Sequence, residues 1–323
     1  MTSAEVHAQN AYFGDGLRLS SEQKTAKLRH LITVEPVVGE RQAIDSYSGM
    51  GLLRKTARNV KVPVTESLRN RRWLSQVDYW NSERFDGFDR MRSMTDPSGR
   101  LSQAWASGAA REWDRCAVKA ALDTAYVDKH GNTPVQLPSR QVVPHNGTGL
   151  TLAKVKQAVQ MLRRVAPDRD DPVSIWLTGH QESELLNSPT ATSADYYAGR
   201  PLMDATIPYF MGAYFHVIDD YLDLSQPAVG TTPDGISGTF KTILPLERLE
   251  DGETTNVRKV IATVKSGIVM GELMPITTEV NSAKEYGINA LQLQVEMSVG
   301  GTREHESKVV VIECIDPSSM TFA

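Results

Sequence analysis

A helical spacing of apolar residues runs through residues 96–125. The apolar positions fall three or four residues apart, at Trp105, Ala109, Trp113, Cys116, Ala117 and Ala120. The polar positions expected to face water are Gln103, Ser107, Arg111 and Asp114 or Arg115. Asp96 is a favourable N-cap, and Pro97 follows it at a position where a missing N–H is harmless. A helix of this length would span roughly 45 Å, enough to brace a whole domain.

Two shorter helices and a strand are predicted further along the chain. Residues 151–165 repeat apolar side chains on one face, so they predict a second helix. Its apolar face would carry Leu152, Val155, Val159 and Leu162, and its outer face Lys154, Lys156, Arg163 and Arg164. Residues 173–177 predict a short apolar strand, and residues 181–187 a short helix. An aromatic run, Tyr209, Phe210, Tyr214 and Phe215, is expected to pack inside.

Alternation of apolar and polar residues predicts strands in the last third of the chain. Residues 257–270 form one strand region, and apolar residues at every second position from Leu291 to Val299 predict another. Residues 309–315 return after a polar turn, so the last two segments predict a β-hairpin.

An earlier alternating segment, residues 57–80, predicts a long two-stranded loop. Val60, Val62 and Val64 alternate on the outgoing strand, while Trp73, Val77 and Tyr79 share one parity on the return. A lone hairpin is marginal in water and needs a partner surface.

The first 50 residues predict an extended arm with one short helix, from Ser20 to Leu31. Few apolar positions here recur with any period, so the segment cannot bury itself well and is expected to lie on something else, with identical copies of the chain covering it for one another. No run of about 18 apolar residues predicts a membrane span, and the sequence predicts no secretory signal.

Charge is distributed unevenly along the chain. The formal net charge of the 323 residues is −4, which argues against bulk affinity for nucleic acid. Residues 51–72 nevertheless carry net +6, which leaves −10 for the remainder. The charged residues of this run are Arg54, Lys55, Arg58, Lys61, Arg69, Arg71 and Arg72, with the single acid Glu66.

Two interpretations of the basic run remain open. One is a nucleic-acid patch. The other, which we favour because only Trp73 is close enough to stack on a base, is an arm that docks on the acidic body of another copy. The predicted inter-subunit contact residues are Arg58, Lys61, Arg69, Arg71, Arg72 and Trp73.

Motifs for catalysis are lacking in the sequence. It contains no phosphate-binding Gly-x4-Gly-Lys loop and no Gly-x-Ser-x-Gly elbow, and no two histidines stand four residues apart as a helical zinc pair would. The acidic group Asp219, Asp220 and Asp223 is the best candidate for a divalent-metal or acid–base site, against a plain solvated turn. We therefore predict no catalytic, cofactor-binding or metal-binding residue, and no cofactor.

Four groups of residues, in this order, resemble those of a known family. They are Arg69–Trp73 with Val77–Tyr79, Phe85–Pro97, Ala109–Ala125, and Met297–Arg303 with Lys308–Cys314. The set is similar to the major capsid proteins of tailed bacteriophages with the Hong Kong 97-type fold. The likeness covers most of residues 10–316 and is weakest over residues 188–258.

The resemblance implies an α+β fold with a peripheral domain, a long spine helix and an axial domain. The expected divisions are an N-terminal arm at 1–50, an extended loop at 51–92, the peripheral domain with its spine helix at 93–145, an axial domain at 146–275, and closing peripheral strands at 276–323. It also implies that copies form the hexamers and pentamers of an icosahedral head. The head would enclose double-stranded DNA without binding it sequence-specifically. The same expectation includes a portal protein and a scaffolding or decoration protein as partners, with no membrane. Assembly is expected in the host bacterial cytoplasm.

Two other functions remain as alternatives. A nanocompartment shell of the encapsulin-like kind would enclose protein instead of DNA. An enzyme of another class would hold a divalent metal at Asp219, Asp220 and Asp223.

Overall fold

A computed structural model describes most of the chain. The described residues are 25–48, 51–55, 58, 61–62, 64, 68–85, 98–166, 171–188, 207–218, 220–223, 230–231, 237–248, 255–286 and 290–317.

Three α-helices lie in the described part, close to where the apolar periodicity predicts them. They are α1 (Ser98–Leu122), α2 (Leu152–Val165) and α3 (Gly179–Leu186). The short 3-10 helices are Ser139–Gln141, Lys265–Gly267, Lys284–Tyr286 and Glu306–Lys308. Thr178 begins α3 with a capping box, in which its side chain and that of Gln181 satisfy backbone N–H groups at the helix start. No helix of the described residues is long and apolar enough to span a membrane.

Strands make up much of the remaining described chain. In chain order they are β1 (Thr33–Pro36), β2 (Arg41–Ser48), β3 (Leu68–Ser75), β4 (Val77–Phe85), β5 (Ala125–Val127), β6 (Thr133–Val135), β7 (Val142–Val143), β8 (Val173–Leu177), β9 (Tyr209–Phe210), β10 (Ala213–Val217), β11 (Asp220–Asp223), β12 (Gly230–Thr231), β13 (Ser237–Thr242), β14 (Leu246–Arg248), β15 (Thr255–Val264), β16 (Ile268–Ser282), β17 (Leu291–Arg303) and β18 (Val309–Pro317).

Four sheets organise these strands. The strand orders are β1-β16-β17-β4, β2-β3-β5-β6, β11-β13-β12, and β7-β18-β15-β8-β10-β9 with β14 beside β15. The mixture of helices with largely antiparallel sheets gives the predicted α+β class.

Two apolar cores hold the fold together. In the first, α2 packs Val155, Val159 and Leu162 against the seven-stranded sheet. In the second, α1 packs Trp113 and Ala117 against β16 and β17. Burial of apolar surface contributes roughly 25 cal/mol for each Å², so these faces fix how each helix lies on its sheet.

The predicted terminal hairpin is wrong, although both of its strands exist. β17 pairs with β16 and β4, whereas β18 pairs with β15 and β7 in another sheet. Alternation identifies a half-buried strand but does not specify which strand lies beside it.

The strand pairing predicted for residues 57–80 is also wrong. β3 pairs with β2, from Arg41↔Ser75 to Ser48↔Leu68, and not with a strand around Val62. The described residues 61–62 and 64 are not in a strand, and Val60 and Pro63 lie outside the described residues. Trp73 and Tyr79 fall in two different sheets, because the chain passes from one sheet to the other at Gln76.

The segment after residue 24 is buried on this chain's own body, contrary to the prediction that the first 50 residues bury little of themselves. Leu28 and Ile32 are almost fully buried in the second core. The backbone N–H groups of Lys27 and Leu28 donate to the Asp114 carboxylate at 2.9 and 3.0 Å. Residues 25–31 form turns instead of the predicted helix, whose start at Ser20 lies outside the described residues.

Several polar side chains predicted to face water are buried. Ser107 and Arg111 on α1 are each less than one-tenth exposed, as is Lys154 on α2. Of the pair Asp114 or Arg115, Arg115 is the exposed residue and Asp114 is fully buried. The Lys154 ammonium donates hydrogen bonds to the carbonyl oxygens of Thr148, Gly149 and Glu313, at 2.8 to 3.1 Å. The side chain therefore satisfies backbone acceptors of the loop before α2 and of β18.

The aromatic run packs inside only in part. Phe215 is buried, whereas Tyr209 and Tyr214 are nearly half exposed.

Candidate inter-subunit surface

The basic run divides into two parts with different surroundings. The first part, which we call the basic loop, is residues 51–64, of which 51–55, 58, 61–62 and 64 are described. Its cationic residues Arg54, Lys55, Arg58 and Lys61 are exposed. So are its apolar residues Leu52, Leu53, Val62 and Val64, which are between 70% and 104% exposed. Apolar side chains grouped in this way on a surface are typical of a contact with another molecule.

The second part lies on β3, where its arginines are paired with acidic residues of the same chain. Asp45 on β2 stands directly across from Arg71. Its carboxylate accepts from Arg71 Nε at 2.7 Å and Nη2 at 3.0 Å, and it also pairs with Arg69. Hydrogen bonds from these two guanidinium groups hold the pKa of Asp45 well below its ordinary value.

Arg72 points to the opposite side of β3 and is buried. Its Nη2 pairs with Glu306 at 2.7 Å, and its Nε donates to the Glu304 carbonyl at 3.1 Å. Only 9% of the side chain is exposed. Arg72 therefore joins β3 to the segment between β17 and β18 of the same chain.

Trp73 is also held within the chain. Its indole N–H donates to the carbonyl of Asp128 at 2.7 Å, and the Arg41 guanidinium stands 5.5 Å from the ring centre. Gly131 lies against the ring with a φ of +70°, and a Cβ there would come within 2.8 Å of Trp73 Cδ1. Glycine permits both this backbone conformation and this contact.

A groove opens where β3 continues past the end of β5. Among the described residues, β3 and β5 pair at Arg72↔Val127 and Trp73↔Tyr126, and the rest of β3 pairs with β2 alone. The groove encloses about 620 Å³, and its charged lining is mostly basic. Its lining residues are Arg69, Asn70, Arg71, Arg72, Val127, Asp128 and Lys129.

The six predicted contact residues thus fall in three places. Arg58 and Lys61 lie on the exposed loop, Arg69 and Arg71 line the groove, and Arg72 and Trp73 make contacts inside the subunit. Their role between subunits stays a prediction. The sequence analysis did not identify Trp80. It follows Tyr79 on β4, so its side chain points to the opposite side of the sheet.

The alternative metal site lies largely outside the described residues. Asp219 is not described, and of Asp220 and Asp223 only the place in β11 is given. Among the side chains that the structure describes, no group of three His, Cys, Asp or Glu residues could hold a metal ion.

Comparison with known proteins gives a family and a fold. A search of curated proteins finds no match. The capsid of cyanophage P-SCSP1u has a TM-score of 0.65 at 12% identity, over 94% of this chain and 92% of that one. The cyanophage Pam1 capsid has a TM-score of 0.64 at 11% identity, over 99% of both chains. The capsid of Ralstonia phage GP4 has a TM-score of 0.63 at 11% identity, over 94% of both.

At such low identities these structures establish the fold, and the predicted Hong Kong 97-type fold is confirmed. The family follows from a separate match, in which a family model described as phage capsid protein covers residues 6–316. The chain therefore belongs to the phage capsid protein family, as a major capsid protein with the Hong Kong 97-type fold.

Proposed function

We propose that copies of this chain form the hexamers and pentamers of an icosahedral head that encloses double-stranded DNA. The observation that carries this proposal is the basic loop, whose Leu52 and Val64 side chains are almost fully exposed while the rest of the described chain has two well-packed cores. Covering such a loop with a neighbouring subunit removes apolar surface from water. Family membership already makes the chain a virion protein that assembles with itself.

The domain divisions belong to this proposal. We assign 1–50 to the arm, 51–92 to the extended loop, 93–145 and 276–323 to the peripheral domain, and 146–275 to the axial domain. Within the 1–50 range, the burial of Leu28 and Ile32 supports a segment that packs on its own subunit, and the pairing of β2 with β3 supports Arg41–Ser48 as the base of the loop.

The same family supports our proposals for the site of assembly, the partner proteins and the contents of the shell. Copies would assemble in the host bacterial cytoplasm, with a portal protein and a scaffolding or decoration protein as partners. DNA would be enclosed without sequence-specific contacts, which agrees with a net charge of −4. No enzymatic activity is part of the proposal.

Electron microscopy of the purified full-length chain tests the proposal. We expect closed shells from the native sequence. The variant Leu52→Ser/Leu53→Ser should give far fewer shells with an unchanged melting temperature, because both side chains lie outside the subunit's cores. The control Val38→Ser, at a residue 90% exposed outside the loop, should assemble normally. A native chain that stays monomeric at high concentration would contradict the proposal.

The nanocompartment alternative makes a different prediction about contents. Particles purified from infected cells should contain DNA if the proposal is right, and protein cargo with little nucleic acid if the alternative is right.

An enzyme using Asp219, Asp220 and Asp223 would instead lose turnover in Asp219→Ala. An Asp219→Ala variant that assembles normally and binds no metal would remove that reading.

A further inference from the structure

The groove beside β3, which we call the basic groove, runs along the edge of the strand and not over one of its faces. Four consecutive residues of β3, 69–72, line one wall. Successive side chains of a strand point to opposite faces of the sheet, so a groove that meets all four lies beside the backbone. The other wall is formed by Val127, Asp128 and Lys129. The groove therefore occupies the place that a longer β5 would take.

The edge of β3 that faces the basic groove has room for another strand. In the described part of the chain, β3 pairs with β2 along its whole length but with β5 at Arg72 and Trp73 alone. Asp128, with a φ of +85°, turns the chain away from β3 at the point where β5 would continue. A strand edge left in this way presents backbone N–H and C=O groups with which a further extended segment can pair.

The wall opposite β3 is held in place by its own hydrogen bonds. The Asp128 carbonyl accepts from the Trp73 indole N–H at 2.7 Å and from the Gly131 N–H at 3.4 Å. The Asp128 carboxylate accepts from the Lys129 backbone N–H at 2.6 Å. These bonds fix the loop relative to β3, so the groove is formed before anything binds, and a preformed site avoids the cost of ordering a loop.

Positive charge in the basic groove exceeds the negative charge that the described chain supplies to it. Arg69 and Arg71 share one carboxylate, that of Asp45. Lys129 is exposed and forms no ion pair with another described residue, and the described lining contains a single acid, Asp128. A carboxylate that enters the groove therefore meets an excess of cations, and hydrogen bonds between ionised partners are the stronger kind.

Arg72 adds an unused donor to the same groove. Its Nε donates to the Glu304 carbonyl and its Nη2 to Glu306, and only 9% of the side chain is exposed. Its Nη1 is buried and has no hydrogen-bond partner among the residues that the structure describes. A buried donor without an acceptor costs free energy, so a carboxylate that supplies the acceptor gains more here than on an open surface.

We propose that the basic groove binds an extended acidic segment of a partner protein, which adds a strand to the open edge of β3. Backbone pairing with β3 would hold the segment, and its carboxylates would lie beside the groove's cations. Nucleic acid offers phosphates for the arginines but no amide groups for the strand edge. The basic loop of a second copy has the wrong charge. The groove lies within one subunit, so the proposal does not depend on assembly of a head.

Fluorescence anisotropy with the full-length chain tests the proposal, at a concentration below that at which shells form. The probe is a short labelled peptide in which glutamate alternates with threonine. One comparison peptide has lysine in place of glutamate, and another has a methyl group on every backbone nitrogen. We expect saturable binding of the acidic probe and at least tenfold weaker binding of both comparison peptides, because lysine is repelled and the methylated peptide cannot donate to β3.

Variants of the chain locate the binding. Lys129→Glu reverses an exposed charge of the groove and should weaken binding of the acidic probe about tenfold. Lys156→Glu, which reverses an exposed charge on α2, is the matched control and should bind as the native chain does. Circular dichroism melting should be the same for both variants and the native chain.

The other occupants of the groove appear as contrary outcomes. Equal binding by Lys129→Glu and the native chain, or by the methylated and unmethylated peptides, would overturn the proposal. So would tighter binding of a single-stranded DNA oligonucleotide than of the acidic probe. Probe binding that disappears as the chain associates with itself would assign the groove to a second copy instead of a partner protein. A native chain that binds the probe but forms no shells would contradict the head and leave the groove proposal standing.

Discussion

Two stretches of one basic run, only a few residues apart, have opposite surroundings. In the basic loop the cations are exposed beside exposed leucines and valines, whereas on β3 the arginines are paired with Asp45 and Glu306 of the same chain. Position on the fold, and not sequence composition, decides which charges are available to a partner. A charge reversal at Arg72 would therefore disturb the subunit itself before it tested an interface.

The largest expected effect comes from Arg72→Ala. Removing this guanidinium leaves Glu306 and the Glu304 carbonyl without a buried partner, and we expect a loss of about 3–5 kcal/mol in unfolding free energy. Urea denaturation of the subunit measures it. Arg58→Glu in the loop is the matched comparison and should change the unfolding free energy by less than about 0.5 kcal/mol. Equal losses in both variants would remove the distinction between the two stretches.

A smaller loss is expected from Asp114→Ala. The Asp114 carboxylate is fully buried and accepts the N–H groups of Lys27 and Leu28, so its removal leaves one buried and one partly buried donor without this acceptor. We expect a loss of about 2–3 kcal/mol and faster proteolysis near residues 25–32. Asp123→Ala, just beyond the end of the same helix and exposed, provides the control. Unchanged proteolysis in Asp114→Ala would show that the segment is anchored by other contacts.

The smallest expected effect is a dependence of the unfolding free energy on pH, in the same region of the fold, where His30 meets His216. Burial, and then the nearby charge of His30, lowers the pKa of His216 from 6.5 to about 4, and the two rings meet edge to face at 5.7 Å. Because the unfolded chain binds this proton at a higher pH than the folded chain, stability should fall as pH drops from about 6.5 toward 4. His216→Leu should fall less steeply over that window in urea titrations, and His130→Leu, at an exposed site, should match the native chain. Parallel slopes for His216→Leu and the native chain would contradict this assignment.

The sequence predicted the elements better than their partners. The periodicity of α1, α2 and β8 is local, so it could be read from neighbouring residues. The partners of β3, β17 and β18 depend on distant segments, which alternation does not identify.

Buried polar residues were the second source of error. Charge alone predicts that Lys154, and either Asp114 or Arg115, faces water, yet the Lys154 and Asp114 side chains each satisfy backbone groups inside the fold. For the candidate surface, sequence indicated the exposed cations at Arg58 and Lys61 but not the internal pairing of Arg72. That pairing requires Glu306, more than 230 residues away.

The passage from β3 to β4 has a mechanical meaning for an assembled ring. Gln76 alone separates the strand at the base of the loop from the strand that bears Trp80. The crossing is tightly seated, since a methyl group at Gly300 would overlap the Ser75 carbonyl. If the loop of each subunit lies on a neighbour in the proposed shell, a pull on the loop reaches the β4-β17-β16 sheet of its own subunit through this one connecting residue. Force on the loop would then be carried along the backbone from one sheet to the other, and not through side-chain contacts alone.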